Sequence, residues 1–259
     1  MSFNKFDWKA LVDKPLLHKH ASIKNTEGTY RLTVNPNEKK SYRNAQIDDY
    51  RNLKRKEFKW TAPLVFSCSA KLNCEDTFKG TLGFGFWNDP FLMTGWRIPS
   101  LPQALWFILL SKPSSFPTSV KAEAGLKAMS LNAKTITYLL CLPFQLLMMP
   151  FMTIKKIRDT YYPFFLRKVQ ANETPLNINL KEWHDFKIKW LKDKILFYID
   201  GDSVAVHKLK LKSPQGLVIW IDNQYLSLKP NGILKWGSLA LEHEQSLELK
   251  DVHIKSLQE

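Results

Sequence analysis

Between Trp183 and Gly201 the chain reads WHDFKIKW and, after a short gap, KILFYIDG. Phe186, Ile188 and Trp190 alternate with Asp185, Lys187 and Lys189, and past a turn at Lys192 to Lys194 the same period returns in Ile195, Phe197 and Ile199. Successive side chains of a strand point to opposite faces, so a period of two sustained over both runs predicts strands with one buried and one wet face. Asp200-Gly201 then supplies a two-residue hairpin turn, and SVAVHKLKL follows as a third antiparallel strand.

Runs of the same kind fill much of the chain. LVFSCSAKL, GTLGFGFW, ALWFILLS and GLKAMSLNA precede this stretch, and GLVIWIDNQYLSL and SLELKDVHIKSL follow it. Residues 1–60 are polar and turn-rich and read as a lead-in segment, with one strand candidate in TYRLTV (Thr29 to Val34) and a turn in NPNEKK. About a dozen short strands without a βαβ rhythm predict an all-β fold, a jelly-roll sandwich of two antiparallel sheets, formed by 1–259 as one domain.

Residues 134–176 interrupt the pattern as an apolar and basic insertion. ITYLLCLPFQLLMMPFMTI, from Ile136 to Ile154, carries no charge and approaches the ~20 residues of a spanning helix. A single crossing would place half of one sandwich on each side of a membrane, and Pro143 and Pro150 break a regular helix. Two short helices, bent at one of these prolines, are therefore expected. Lys155, Lys156, Arg158, Arg167 and Lys168 then surround Tyr161, Tyr162, Phe164 and Phe165, the mixture favoured at a membrane interface. Three roles stay open for 134–168: a foot on an anionic membrane surface, a lid over a cleft, or a packing contact within the core or between copies.

The net charge is +14. It fits a membrane surface, an acidic partner or a Lys-rich exterior. The densest basic run, RNLKRKEFKW, belongs to no nucleic-acid module, and no glycine-rich phosphate loop exists, which argues against nucleic acid. MSFNKFDWKALVDKP is too polar for a secretory signal, and three cysteines, Cys68, Cys74 and Cys141, lack metal-ligand spacing. A cytoplasmic protein, peripheral to a membrane at most, is expected, with no metal and no cofactor. His184, at a strand start, reads as structural.

The phrase W-H-x-F-x-I-x-W followed by K-I-x-F-Y-I-D-G resembles the late strands of concanavalin A-like lectin and glucanase domains, especially glycoside hydrolase family 16. GFGFWND (Gly83 to Asp89) is similar to that family's strand ending in an aromatic residue beside the cleft. The resemblance spans residues 60–255, with 134–176 inserted, and implies a jelly roll with a ligand cleft on its concave face. Family 16 enzymes carry nucleophile and acid/base as E-x-D-x-x-E, because alternate carboxylates on a strand point into the same cleft. This chain has no such motif, and LWFILL, Leu105 to Leu110, stands at the expected place. The family's catalytic residues are not carried over.

Strand alternation proposes a different set. In GLVIWIDNQY, Leu217, Ile219 and Ile221 fall on one side and Trp220, Asp222 and Gln224 on the other; in GTLGFGFW, Gly83, Gly85 and Trp87 share a side. The candidate catalytic residues are Asp222 and Asp89. The candidate ligand-binding residues are Trp87, Trp106, Trp220, Gln224, Tyr225, Gly83 and Gly85, with Trp96 a further stacking candidate. Strand glycines suggest close approach of something to the backbone. Asp222 and Asn223 equally fit a structural turn. The function expected is binding of a lipophilic small molecule in an apolar cleft, with a non-hydrolytic cyclisation or isomerisation as the reaction class. A lectin-like module stacking sugars on Trp87, Trp106 and Trp220, or a glycosidase with relocated carboxylates, are the alternatives.

Overall fold

The protein is described by a computed structural model over residues 15–18, 20–37, 40–90, 94–98, 100–115, 124–228 and 234–257. The expected N-terminal character and part of the NPNEKK turn and the Pro/Ser loop lie outside the described residues. In chain order the strands begin with β1 (Leu16–His18), β2 (Ala21–Thr26), β3 (Thr29–Val34), β4 (Asn44–Asp48), β5 (Leu64–Cys74) and β6 (Thr81–Trp87). Then come β7 (Gln103–Leu110), β8 (Gly125–Asn132), β9 (Gln170–Pro175), β10 (His184–Trp190) and β11 (Lys194–Ile199). The last five are β12 (Asp202–Lys208), β13 (Gly216–Asp222), β14 (Gln224–Leu228), β15 (Leu234–Ser238) and β16 (Gln245–Ser256).

Two seven-stranded sheets result, one ordered β1-β4-β13-β6-β7-β8-β9 and the other β12-β11-β10-β5-β16-β3-β2, while β14 and β15 pair separately. This is the expected all-β sandwich of two antiparallel sheets. Leu82, Phe84 and Phe86 of β6, Leu105 and Phe107 of β7, and Leu217, Ile219 and Ile221 of β13 meet Phe66, Phe186, Ile188, Trp190 and Phe197 from the facing sheet. Phe107 stands edge-on to Phe186 and Phe197 at 4.9 and 5.2 Å between centroids. Full burial of each such side chain stabilises the fold by roughly 1.5–3 kcal/mol. The Asp200-Gly201 turn takes positive φ at both positions, 52° and 91°, the geometry that matches the right-handed twist of a hairpin.

Residues 15–60 are more than a lead-in, because β1 and β4 join the first sheet and β2 and β3 the second. The sequence NAQID gave no strand signal, since only Ala45 and Ile47 face the core while Asn44, Gln46 and Asp48 are polar yet buried on the other side. GLVIWIDNQYLSL, read as one strand, breaks at Asn223. The Asn223 side chain accepts from the Arg43 N–H (2.8 Å) and donates to the Ser41 and Leu239 carbonyls (2.9 and 2.7 Å), which holds the chain at the break. Beyond it, β14 leaves the sheet to pair with β15.

The insertion is helical, as expected. It joins β8 to β9, which are neighbours in the first sheet, through α1 (Ile136–Met148), a 3₁₀ turn (Met149–Thr153) and α2 (Lys155–Lys168). Pro143 lies within α1 and Pro150 in the turn that reverses the chain. Thr135 closes the base by donating its hydroxyl to the Lys168 carbonyl at 2.7 Å.

Candidate functional site on the outer face of the first sheet

Register places the candidates. On the face turned away from the core, Trp220 stands opposite Gly83 and Gln46, Val218 opposite Gly85, Gly83 opposite Ile108, and Gly85 opposite Trp106. Trp87 lies opposite Ala104, and Asp222 opposite Thr81 and Asn44. The outer face of an antiparallel sheet is ordinarily solvated and polar. Here it carries a second apolar cluster of Trp87, Trp106, Ile108, Leu110, Met129 and Val218, joined at its edge by Trp220. Trp220, Trp106 and Trp87 form a ladder with centroid separations of 5.4 and 5.7 Å. Gly85, at φ +151°, also passes so near the Leu105 carbonyl that a Cβ would stand 2.3 Å from it.

A strap over residues 49–60 covers the Trp87 end of the ladder. Tyr50 and Phe58 are buried against it, and the Tyr50 hydroxyl accepts from the Trp87 indole N–H at 2.5 Å. Asp49 anchors the strap by accepting from the Leu217 N–H (2.8 Å) and the Trp60 indole (2.5 Å), and burial pushes its carboxyl up to about 6. Arg97 pins the other side: its Nε donates to the Leu53 carbonyl and its Nη2 to the Tyr50 carbonyl, each at 2.7 Å. Asp89 holds Arg97 in place through Nη1 at 2.5 Å and accepts from the Thr94 hydroxyl at 3.1 Å.

At the opposite end the face turns polar. The Trp220 indole donates to the Thr81 hydroxyl at 2.8 Å, and that hydroxyl donates to Asp222 at 2.9 Å. The same carboxylate oxygen accepts the Thr81 and Gln224 backbone N–H groups at 3.2 and 3.0 Å. Burial outweighs these bonds and raises the Asp222 pKa to about 7. Beside it, both amide atoms of the buried Asn44 have no hydrogen-bond partner among the described residues, and neither does the indole N–H of Trp106, which is 7 % exposed.

No family model matches the sequence, and no curated protein matches it. Solved structures do. A structure described under the endo-acting O-glycanases of the human gut microbiota matches at TM-score 0.53 and 10 % identity, over 93 % of this chain and 85 % of that one. The kappa-carrageenase of Zobellia galactanivorans matches at 0.52 and 12 %, over 99 % and 92 %. A legume lectin-like domain from Entamoeba histolytica matches at 0.50 and 11 %, over 98 % and 95 %. The fold is a concanavalin A-like jelly roll.

Within this jelly roll, β7 presents Ala104, Trp106, Ile108 and Leu110 on the outer face, so a central strand of the sheet offers no carboxylate. The acids that lie near are each engaged: Asp89 with Arg97, Asp48 with Arg51 at 2.6 Å, and Glu173 with Lys127. The structure brings Gly83, Gly85, Trp87, Trp106, Trp220 and Asp222 onto one surface. Asp89 lies at the end of β6, behind the strap. Gln224 and Tyr225 leave that surface with β14, where Tyr225 faces Gly237. Sequence reasoning missed Asn44, Thr81 and Tyr50; Thr81 alone carried a signal, as the residue two before Gly83 on the same face. Elsewhere, exposed Asp76, Glu242 and His243 bring ligand atoms within 4.8 Å of one another, a grouping common without any ion.

Proposed function

We propose that this jelly roll binds an amphiphilic small molecule, mainly apolar, against the outer face of its first sheet. The hydrocarbon body would lie on Trp106, Ile108, Met129 and Val218, all buried here and so reached only when the segments that cover them draw aside, and the polar group would reach Asn44 and Asp222. The reading is carried by an aromatic outer face that contains buried hydrogen-bonding groups without a partner among the described residues, the Trp106 N–H and the Asn44 amide. Burying such groups unpaired costs about 1–3 kcal/mol each, which a ligand with one acceptor and one donor would offset. Trp220 and Leu53, half-buried at the edge of the cluster, mark the way in. Asp222, with its pKa about 7, is suited to move a proton in a non-hydrolytic isomerisation or cyclisation. The lectin-like alternative is weaker because Ile108, Leu110, Met129 and Val218 beside the tryptophans offer no hydrogen bonds to sugar hydroxyls.

The test is mass spectrometry of the organic extract of purified protein, beside Asn44→Leu and Trp106→Phe variants. A stoichiometric amphiphile that is depleted in both variants supports the reading. An extract free of such a molecule, with binding of soluble oligosaccharides in its place, would replace it with the glycan-binding one.

A further inference from the structure

We infer that the helical insertion, the strap and the Trp96–Ile98 segment together form one monotopic docking surface for an anionic lipid bilayer. This does not depend on the ligand reading. Leu140, Phe144, Leu147, Phe151 and Ile154 project from α1 and the turn beyond it and are all exposed. Leu147 is 68 % exposed. An apolar surface of this kind on a folded chain marks an interaction site.

The occupant is set by length and by charge. The thirteen residues of α1 span about 20 Å at 1.5 Å per residue, short of the ~30 Å hydrocarbon core. No helix among the described residues is long and apolar enough to cross a membrane. Over 134–168 six basic residues face a single acid, Asp159, and Lys155 and Lys156 are exposed beside the apolar turn. Apolar side chains flanked by lysines suit a helix pair lying in the headgroup boundary of one anionic leaflet.

A second observation places more of the molecule on the same plane. Trp96 and Ile98 are 93 % and 84 % exposed, in a segment distant in sequence from the helices. Arg55 of the strap donates to the Ile98, Asn88 and Asp89 carbonyls, and Lys134, at the foot of the insertion, has its pKa lowered first by burial and then by the nearby Arg55 charge. The exposed Lys54 and Lys56 flank Arg55. An indole, an isoleucine and a basic strap thus stand at the same end of the sheet as the helical pair. That end also holds Trp87, because Trp87 pairs with Ala104 and Ala104 with Leu131, one residue before β8 closes. The docked plane would face the Trp87 end of the ladder, with Asp222 at the far end.

The experiment is flotation of the full chain with vesicles of phosphatidylcholine alone or mixed with phosphatidylserine, at low and high salt. The intact chain is expected to float with the anionic vesicles and to lose roughly tenfold or more of that partition in high salt or as Lys155→Glu/Lys156→Glu. Leu147→Asp/Phe151→Asp should abolish it while circular dichroism and the extracted ligand stay unchanged, which separates this inference from the ligand reading. Trp96→Ala should weaken partition with both helices intact. A chain that stays in the aqueous fraction with every vesicle overturns the inference. So does a dimer in gel filtration that Leu147→Asp/Phe151→Asp converts to monomer, since a second copy would then be the occupant. Equal flotation with neutral vesicles would overturn its electrostatic half.

Discussion

The indole of Trp220 lies across Gly83, so close that a Cβ on the glycine would stand 2.6 Å from the ring's Cη2 and equally near the Phe107 carbonyl oxygen. The absence of a side chain at Gly83 is therefore what allows the ladder to bed against the sheet. Gly83→Ala forces either the ring or the β6–β7 pairing to move, and overpacking of this kind costs about 1–3 kcal/mol. The expected result is a lower urea midpoint and a changed near-ultraviolet circular dichroism spectrum. An unchanged spectrum at unchanged stability would mean that Trp220 does not rest there.

Asp222 makes stability depend on pH in a definite direction. An unfolded aspartate titrates near 4 and this one at about 7, so between those values the folded chain holds a proton that the unfolded chain has lost. Stability from this group therefore falls as pH rises from about 4 to about 7. His207, lodged between the sheets with Ser130 on Nδ1 and Thr174 on Nε2, each at 3.0 Å, is lowered by burial to about 4 and acts in the opposite sense. Its contribution is lost as pH falls from about 6.5 to about 4. Asp222→Asn keeps an oxygen for Thr81 and Gln224 while removing the charge. Its stability relative to the parent should rise with pH, on the order of 2–4 kcal/mol more stable near pH 8. Urea midpoints at pH 5 and pH 8 measure this, and parallel curves would contradict it.

Asp89→Asn should do the reverse. It leaves the Arg97 guanidinium buried opposite a neutral amide, and breaking one side of a buried pair costs about 3–5 kcal/mol. Arg97 also holds the Tyr50 and Leu53 carbonyls, so the strap should loosen with it. The measurements are the thermal midpoint and the rate of hydrogen exchange across residues 49–58. A variant as stable as the parent would show that the strap is held by other means.

What could be read from the sequence follows from where period two survives. Phe186 to Ile199 alternate cleanly because one face meets the core and the other meets water; the short turn after Trp190 pairs the two runs, and Asp200-Gly201 pairs the second with β12. β4 could not be read, since Asn44, Gln46 and Asp48 face the covered outer surface, where burial is no longer marked by apolar residues. The helical insertion was legible from its uncharged run and prolines, because few other arrangements satisfy them next to a sandwich. The glycines of β6 signalled a close approach, but the approaching groups are the chain's own: Trp220 and the Phe107 carbonyl at Gly83, and Leu105 and Trp106 at Gly85. Gln224 could not be placed correctly from alternation, because Asn223 ends the strand through three long-range hydrogen bonds that no local pattern announces.

Asn44 offers the sharpest separation between a structural and a binding role. Its two amide atoms are buried without partners among the described residues, so a leucine of similar volume removes an uncompensated polar group from the ligand-free protein. Asn44→Leu should therefore stabilise the protein freed of ligand by about 1–2 kcal/mol, while lowering the amount of amphiphile that co-purifies with it. Gain of stability with loss of ligand is the pattern of a residue kept for binding. Loss of stability in the ligand-free protein would mean that the amide is satisfied within the fold, and would move the polar end of the site from Asn44 to Asp222 and Thr81 alone.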